Sequence, residues 1–376
     1  MKFEPTELTA EESKLQREVR QFLDELLPPG SYEPGLGMAA GSSKALSLAL
    51  GERGLLGMAL PAEYGGGNRS AVERFVVVEE LLRRGAPVGH HWTADRQSGP
   101  VISRFGTEAQ KRRFLPPICR GELSFAIGMS EPDAGSDLAG VKSRAVRVDG
   151  GWELSGTKVW TSNAHQADYA ITLCRTSDTD DRHEGLSQLL VDLRSPGVTV
   201  SPIRFLDGTS DFCEVVLDSV FVPGELLLGV EGQGWQQNTS ELSFERAGPE
   251  RWMSPYLVVE HFLRQHGAAM GEEAESFLGD VLARWWGIRQ VSLAVARMID
   301  EGRSPSVHSA MGKDLGTQFE QEVMARIQTL VEAEPSLDAL TLFERLLARA
   351  LLVAPSWSIR GGTNEILRTV IAKGLR

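Results

Sequence analysis

Apolar positions recur along the chain with two different periods, and the period changes twice. In the first third the spacing is three or four residues. Leu15, Val19, Phe22 and Leu26 fall on one helical face, and Val72, Phe75, Val78 and Leu82 on another. Start signals of the Ser/Thr-x-x-Glu/Gln kind stand at Thr9 with Glu12, Ser70 with Glu73, and Thr107 with Gln110. The pair Pro116-Pro117 is expected to stop the helix opened at Thr107. From about Ser124 to Pro223 short β-type runs take over, broken by turn residues. Val146 and Val148 alternate with Arg147, Asp149-Gly150-Gly151 supplies a turn, and Trp152 and Leu154 resume the alternation. Tyr169–Cys174, Leu189–Leu193 and Cys213–Leu217 continue it. The acidic stretch Ser177–Asp181 reads as a solvated loop. After Gly232-Gln233-Gly234 the helical period returns, with a long stripe of Leu278, Val281, Trp285, Ile288, Val291, Val295 and Met298. This order predicts an α+β protein with helices over 1–123, strands over 124–232 and helices over 233–376.

Composition narrows the function classes. A chain of 376 residues can bury a large core, and a formal net charge of -12 argues against general nucleic-acid binding. A local cationic pocket for an anionic ligand stays compatible with that balance. Cys119, Cys174 and Cys213 are far apart, which suits a reducing compartment, and the histidines form no helical pair facing a common metal. No apolar run approaches membrane-spanning length, and the N-terminus carries no targeting pattern. The expectation is a cytoplasmic protein with no metal, no membrane and no nucleic-acid partner.

Two glycine-containing segments compete for the chemistry. Gly35-Leu36-Gly37 followed by Gly41 has the wrong spacing for a dinucleotide fingerprint, and no strand precedes it, so it reads as a surface loop. In Met129–Asp137, Pro132, Ala134 and Gly135 shape the backbone while Ser130 and Ser136 supply hydroxyls. Such a loop can turn its N–H groups towards an electron-rich ring or a phosphate. An ordinary turn between a helix and a strand reads equally well.

The segment Ser130-Glu131-Pro132-x-Ala134-Gly135-Ser136-Asp137 resembles the flavin-binding loop of acyl-CoA dehydrogenases. Further matches follow in the family's order: Gly54-Leu-Leu-Gly57 with Pro61-x-Glu63-Tyr64-Gly65-Gly66; Phe105-Gly106-Thr107-Glu108-x-Gln110-Lys111 with Gly121-Glu122; Gly156-x-Lys158-x-Trp160-Thr-Ser162-Asn163; Val222-Pro223; and Gly361-Gly362-Thr363-Asn364-Glu365-Ile366. The resemblance covers nearly the whole chain. It implies an N-terminal helical domain, a central β domain and a C-terminal four-helix bundle, with FAD as cofactor. It places backbone groups around Ile127, Met129 and Ser130 on the flavin pyrimidine edge, and Ser136 against the cofactor or the CoA moiety. Trp160 would lie beside the isoalloxazine and Ser162 at flavin N5, with Thr363 and Glu365 as further cofactor contacts.

The implied reaction removes a proton next to a thioester carbonyl while hydride leaves the neighbouring carbon for the flavin. It needs a carboxylate base in a dry pocket and donors on the thioester oxygen. Many relatives place the base immediately before the Gly-Thr of the tail, where this chain has Gly361. A second group carries it on the first helix after the β domain, before an arginine, and Glu245-Arg246 matches that arrangement. Pro249 cannot donate to the Glu245 carbonyl, so a kink or fraying is expected there. The resemblance therefore assigns the base to Glu245, thioester contact to the Gly361 N–H, and pocket or CoA organisation to Arg246.

Two elements of the family pattern are missing. His261–Gly267 stands where Arg-x-x-Phe-Gly is expected, and Val331–Asp338 where Gln-x-x-Gly-Gly-x-Gly is expected. In the family both reach the FAD phosphates or adenosine of a neighbouring subunit. The departures resemble a branch common in steroid and aromatic catabolism, whose chains pair with a second acyl-CoA dehydrogenase subunit. The implied partners are an acyl-CoA substrate, an electron-transfer flavoprotein-like acceptor, and a homo- or hetero-oligomer. The alternatives are a non-catalytic or flavin-sharing subunit, and a related flavin oxidase or monooxygenase.

Overall fold

A computed structural model describes residues 6–375 apart from Ala39 and Ala333, and the backbone alone at 240–245 and Ala269. In chain order the helices are α1 (Ala10–Leu26), α2 (Lys44–Glu52), α3 (Ala71–Arg83), α4 (Gly89–Thr93), α5 (Gly99–Phe105) and α6 (Glu108–Cys119). Seven strands follow: β1 (Phe125–Gly128), β2 (Arg144–Val148), β3 (Gly151–Ser162), β4 (Tyr169–Arg175), β5 (Leu186–Asp192), β6 (Val198–Ile203) and β7 (Phe212–Pro223). The chain closes with α7 (Gly234–Glu245), α8 (Tyr256–His266), α9 (Glu272–Asp300), α10 (Ser306–Leu330), α11 (Leu342–Trp357) and α12 (Asn364–Gly374). The fold is α+β, in the order helices, strands, helices. Among the described residues no helix is long and apolar enough to cross a membrane, and no cluster of His, Cys, Asp or Glu is arranged to hold a metal.

All three start signals form reciprocal capping boxes, at Thr9/Glu12, Ser70/Glu73 and Thr107/Gln110. The prolines do not stop α6, which runs on to Cys119 with Pro116 and Pro117 inside it. The cost is confined to the last turn, where the Pro116 carbonyl still accepts from the Arg120 N–H at 3.1 Å.

The residues divide into two compact units. The first contains Met1–Gly41, Ser70–Pro87 and Ser243–Arg376. Buried acids on α1 and α3 receive its arginines. Glu12 pairs with Arg297 at 2.5 Å, Glu79 with Arg289 at 2.5 Å, and Glu80 with both Arg20 and Arg83 at 2.7 Å. Asp300, the last residue of α9, accepts from the Ala71 N–H at 2.6 Å and so satisfies an orphan donor at the start of α3.

The second unit, Ser42–Arg69 with Val88–Leu242, holds the seven-stranded sheet in the order β1-β4-β2-β3-β7-β6, with β5 also paired to β4. β2 and β3 form the expected hairpin, closed by Asp149-Gly150 with Val148 opposite Gly151. Its buried face is the one without the β2 valines. Val146 and Val148 are exposed, whereas Ala145, Trp152 and Leu154 are buried and the Arg147 guanidinium lies 4.4 Å from the Trp152 ring centroid. An arginine stem over an indole is a stable inner face because the charged head still reaches water. Phe114, Phe125 and Tyr169 meet edge-on or stacked in the core beside β1 and β4.

His91 is buried in this unit and shares a 2.8 Å hydrogen bond with the Ser47 hydroxyl. Burial pushes its pKa down to about 4. Between about pH 6.5 and 4 the unfolded chain takes up a proton that the native ring refuses, so stability falls as pH drops through that window. Unfolding free energies from urea titration at pH 7.5 and 5 should therefore differ less in His91→Asn than in the wild type, by on the order of 1–3 kcal/mol.

Candidate active site

The loop after β1 is held by a carboxylate that the sequence places on an otherwise small-residue turn. Glu131 N–H and C=O bond reciprocally with Ala134 at 2.9 and 3.1 Å, closing a tight turn at Pro132-Asp133. The Glu131 side chain is buried and accepts from the Lys142 N–H at 2.6 Å, the Ser143 N–H at 2.9 Å and Lys158 Nζ at 2.7 Å. Burial works against a charge on Glu131, but Lys158 and the hydrogen bonds outweigh it and hold the carboxyl below its ordinary pKa. Lys158 is itself only 1% exposed, and its ammonium also donates to the Met129 carbonyl at 3.2 Å. The Val159 N–H donates to the Ser130 carbonyl at 2.9 Å.

These bonds bring the loop residues Met129 and Ser130 alongside β3 just before Trp160 and Ser162. There the β3–β7 register slips between Lys158 and Thr161, and Trp160 adopts a left-handed φ of 59°. A bulge of this kind re-aims a side chain, and such a conformation in a non-glycine residue costs about 1–3 kcal/mol. Here it leaves the indole 55% exposed, with Phe212 edge-on at 6.4 Å. Ser130, Ser162 and Ile127 are half-buried, and Ser136 is exposed. Asp137 pairs with Arg182 at the surface, while Ser177–Asp181 is exposed throughout, as a solvated loop would be.

The first unit holds the other residues singled out by the sequence. α7 ends at Glu245 and Pro249 opens a single 3-10 turn, Pro249–Arg251, in keeping with the expected break. The Glu245 side chain lies outside the described residues. Arg246 is buried, and its Nε donates to the Gly361 carbonyl at 3.2 Å. Gly361 and Gly362 both take left-handed φ angles, 67° and 93°. A Cβ at Gly361 would fall 2.9 Å from the Arg251 guanidinium. A side chain at 361 would need a strained left-handed backbone, and the end of the Arg251 side chain would have to shift to admit its Cβ.

Thr363 caps α12, its hydroxyl accepting from the Ile366 N–H, while Glu365 is exposed in the first turn and held below its ordinary pKa by its own backbone amide and the Thr363 hydroxyl. One contributor escaped sequence reading. Lys313 of α10 is fully buried, and its ammonium donates to the Ser358 and Gly362 carbonyls at 2.8 Å each and to Asn364 Oδ1 at 2.6 Å. Arg360 reaches Glu320 at 2.6 Å and Ser254 at 3.1 Å. The one sequence signal for it is its place on the side of α10 that also carries Ala310, Phe319 and Val323.

Three family descriptions match the chain: acyl-CoA dehydrogenase N-terminal domain over 9–122, middle domain over 126–220 and C-terminal domain over 272–376. Acyl-CoA dehydrogenase FadE34 of Mycobacterium tuberculosis is 34% identical over 90% of this chain, which spans only 47% of that relative's length. Acyl-CoA dehydrogenase FadE29 of the same organism is 31% identical over 97% of this chain and 96% of its own. Among solved structures, "Tcur3481-Tcur3483 steroid ACAD" superposes with a TM-score of 0.87 at 28% identity, covering 98% of both chains. The ChsE4-ChsE5 complex from M. tuberculosis gives 0.84 at 28% identity, covering 99% of this chain and 100% of that one. A glutaryl-CoA dehydrogenase from M. smegmatis in complex with FADH2 gives 0.83 at 26%, covering 98% and 95%.

Removing the ammonium under the loop should be costly, because it leaves Glu131 buried without a counter-charge. Lys158→Met is expected to lose about 3–5 kcal/mol of stability in urea titration at pH 7.

Proposed function

Because the chain belongs to the acyl-CoA dehydrogenase family of flavoprotein oxidoreductases, we propose that it is an FAD-dependent enzyme that introduces a double bond between the α and β carbons of an acyl-CoA thioester. The observation that supports this reading is the Glu131–Lys158 lock, which ties the loop resembling the family's flavin loop to the strand just before the exposed Trp160.

The residues present fit a flavin. An indole held out by a bulge offers a flat apolar face, and the neighbouring Ser130 and Ser162 hydroxyls with the loop amides offer hydrogen bonds to a polar ring edge. In this reading Ile127, Met129, Ser130, Trp160 and Ser162 hold the ring system, and Ser136, Thr363 and Glu365 contribute to the cofactor or the CoA moiety. When bound, FAD supplies the two-electron acceptor for the hydride leaving the β carbon.

The chain's own residues handle the proton and the developing charge. Glu245 takes the α-proton; a carboxylate shielded from water is a stronger base than one in solution. The Gly361 N–H donates to the thioester oxygen as enolate-like charge builds there. Arg246 orients this segment through the Gly361 carbonyl, and its burial favours that organising role over an exposed contact to CoA. Electrons then pass to an electron-transfer flavoprotein-like acceptor. The departures at His261–Gly267 and Val331–Asp338, together with the likeness to the ChsE4-ChsE5 complex, support assembly with a second acyl-CoA dehydrogenase subunit.

Anaerobic titration tests the reading. The purified protein, alone or co-expressed with such a subunit, should be yellow and should bleach with one member of a panel of linear, branched and ring-bearing acyl-CoAs. Glu245→Gln should keep the flavin and lower the bleaching rate by at least about 1,000-fold. Bleaching at the wild-type rate would remove Glu245 from the role of base.

A further inference from the structure

The tail motif starts on the six-residue turn Ser358–Thr363 between α11 and α12, which contains two consecutive left-handed glycines, and runs on into α12. Such a turn has little intrinsic rigidity, because glycine loses more freedom on ordering than any other residue. Its shape is imposed by cations. Lys313 Nζ has three hydrogens and meets three acceptors: the Ser358 carbonyl at 2.8 Å, the Gly362 carbonyl at 2.8 Å and Asn364 Oδ1 at 2.6 Å. The Asn364 N–H returns to the Ser358 carbonyl at 3.2 Å, so the two ends of the turn close over one ammonium group. Arg246 Nε takes the Gly361 carbonyl between them. The single hydroxyl hydrogen of Thr317, one turn along α10, lies between two acceptors, the Lys313 carbonyl at 2.9 Å and Asn364 Oδ1 at 3.2 Å, and favours the orientation of Asn364 that presents its oxygen to Lys313.

We propose that Lys313 is a positioning residue for the dehydrogenation, setting the direction of the Gly361 N–H by clamping the carbonyls on either side of it. The proposal rests on the reading that this N–H donates to the thioester oxygen. A donor aimed at charge that appears only in the transition state loses its effect when its direction drifts, because a hydrogen bond weakens steeply with angle. Lys313 touches neither substrate nor cofactor in this assignment. It acts through the turn.

The surroundings of Lys313 make the clamp sensitive to pH. Burial pushes its pKa down to about 7, helped by Arg251, Arg360 and Arg246 and opposed by Asp314; Glu365 is the other charge that feels it. A neutral amine has two hydrogens for three acceptors, so one bond is lost as pH rises through that value. The rate of flavin reduction should then fall on the alkaline side, on top of the rise that comes from ionising the base.

The test uses the flavin-loaded protein. Lys313→Met should retain FAD and bind the bleaching acyl-CoA within about threefold of the wild type, yet reduce its flavin at least about 30-fold more slowly, as loss of an oriented donor does. Its amide hydrogen exchange should speed up within residues 358–364 and nowhere else. Asn364→Asp, which sets a carboxylate against the ammonium, should move the alkaline limb upward by about one pH unit or more. Wild-type reduction rate in Lys313→Met, or unchanged exchange at 358–364, overturns the proposal. If Lys313→Met fails to fold, the Asn364→Asp profile decides, and an unmoved limb overturns it. A wild type that no acyl-CoA bleaches removes the dehydrogenase reading, and the exchange measurement still decides whether Lys313 holds the turn.

Discussion

A carboxylate on the turn after β1 and an ammonium within β3, buried 2.7 Å apart, hold the loop proposed to meet the flavin to the sheet. Burying two charges carries a large desolvation cost, and the pair is tolerable only because the remaining lone pairs and hydrogens are used. Glu131 also takes the Lys142 and Ser143 amides, and Lys158 also takes the Met129 carbonyl. Every one of these bonds joins the loop to a neighbour in the sheet or to the chain entering β2. The loop can therefore keep Pro132, Gly135 and Ser136 exposed without losing its shape. The bulge that turns Trp160 outward begins directly after Lys158.

The helical unit fixes its functional segment by the reverse arrangement, with cations holding backbone carbonyls. Lys313 and Arg246 between them engage Ser358, Gly361 and Gly362. Two left-handed glycines give the turn a path no other residue follows cheaply, and the cations give that path a single shape. The same left-handed backbone at 361 would be strained by any side chain.

Much of the scaffold was legible in the sequence. The capping boxes at Thr9, Ser70 and Thr107, the hairpin at Asp149-Gly150, the long α9 and the helix break before Pro249 all follow from interactions within a few residues. One expectation failed: Pro116-Pro117 lies within α6 because only the last turn loses bonds. The alternation itself left open which face of the hairpin is buried, and it is Ala145 and Trp152 that face inward while Val146 and Val148 face outward. Which side of a strand faces the core depends on what the rest of the sheet places against it. Flavin-loop residues were recognisable by resemblance, but the sequence does not say that Glu131, an acid on a turn, is the buried anchor.

The sequence by itself determined the order of elements, their start signals, and the family to which the loop and tail belong, because each rests on short-range periodicity or a contiguous motif. Tertiary structure alone decided which charges are buried and what they hold. Glu131 meets Lys158 across 27 positions, and Lys313 meets Asn364 across 51. A charged residue looks the same in a sequence whether water or a carbonyl surrounds it. Only the packing of distant segments, by removing the water, turns an ordinary lysine into the group that shapes a turn.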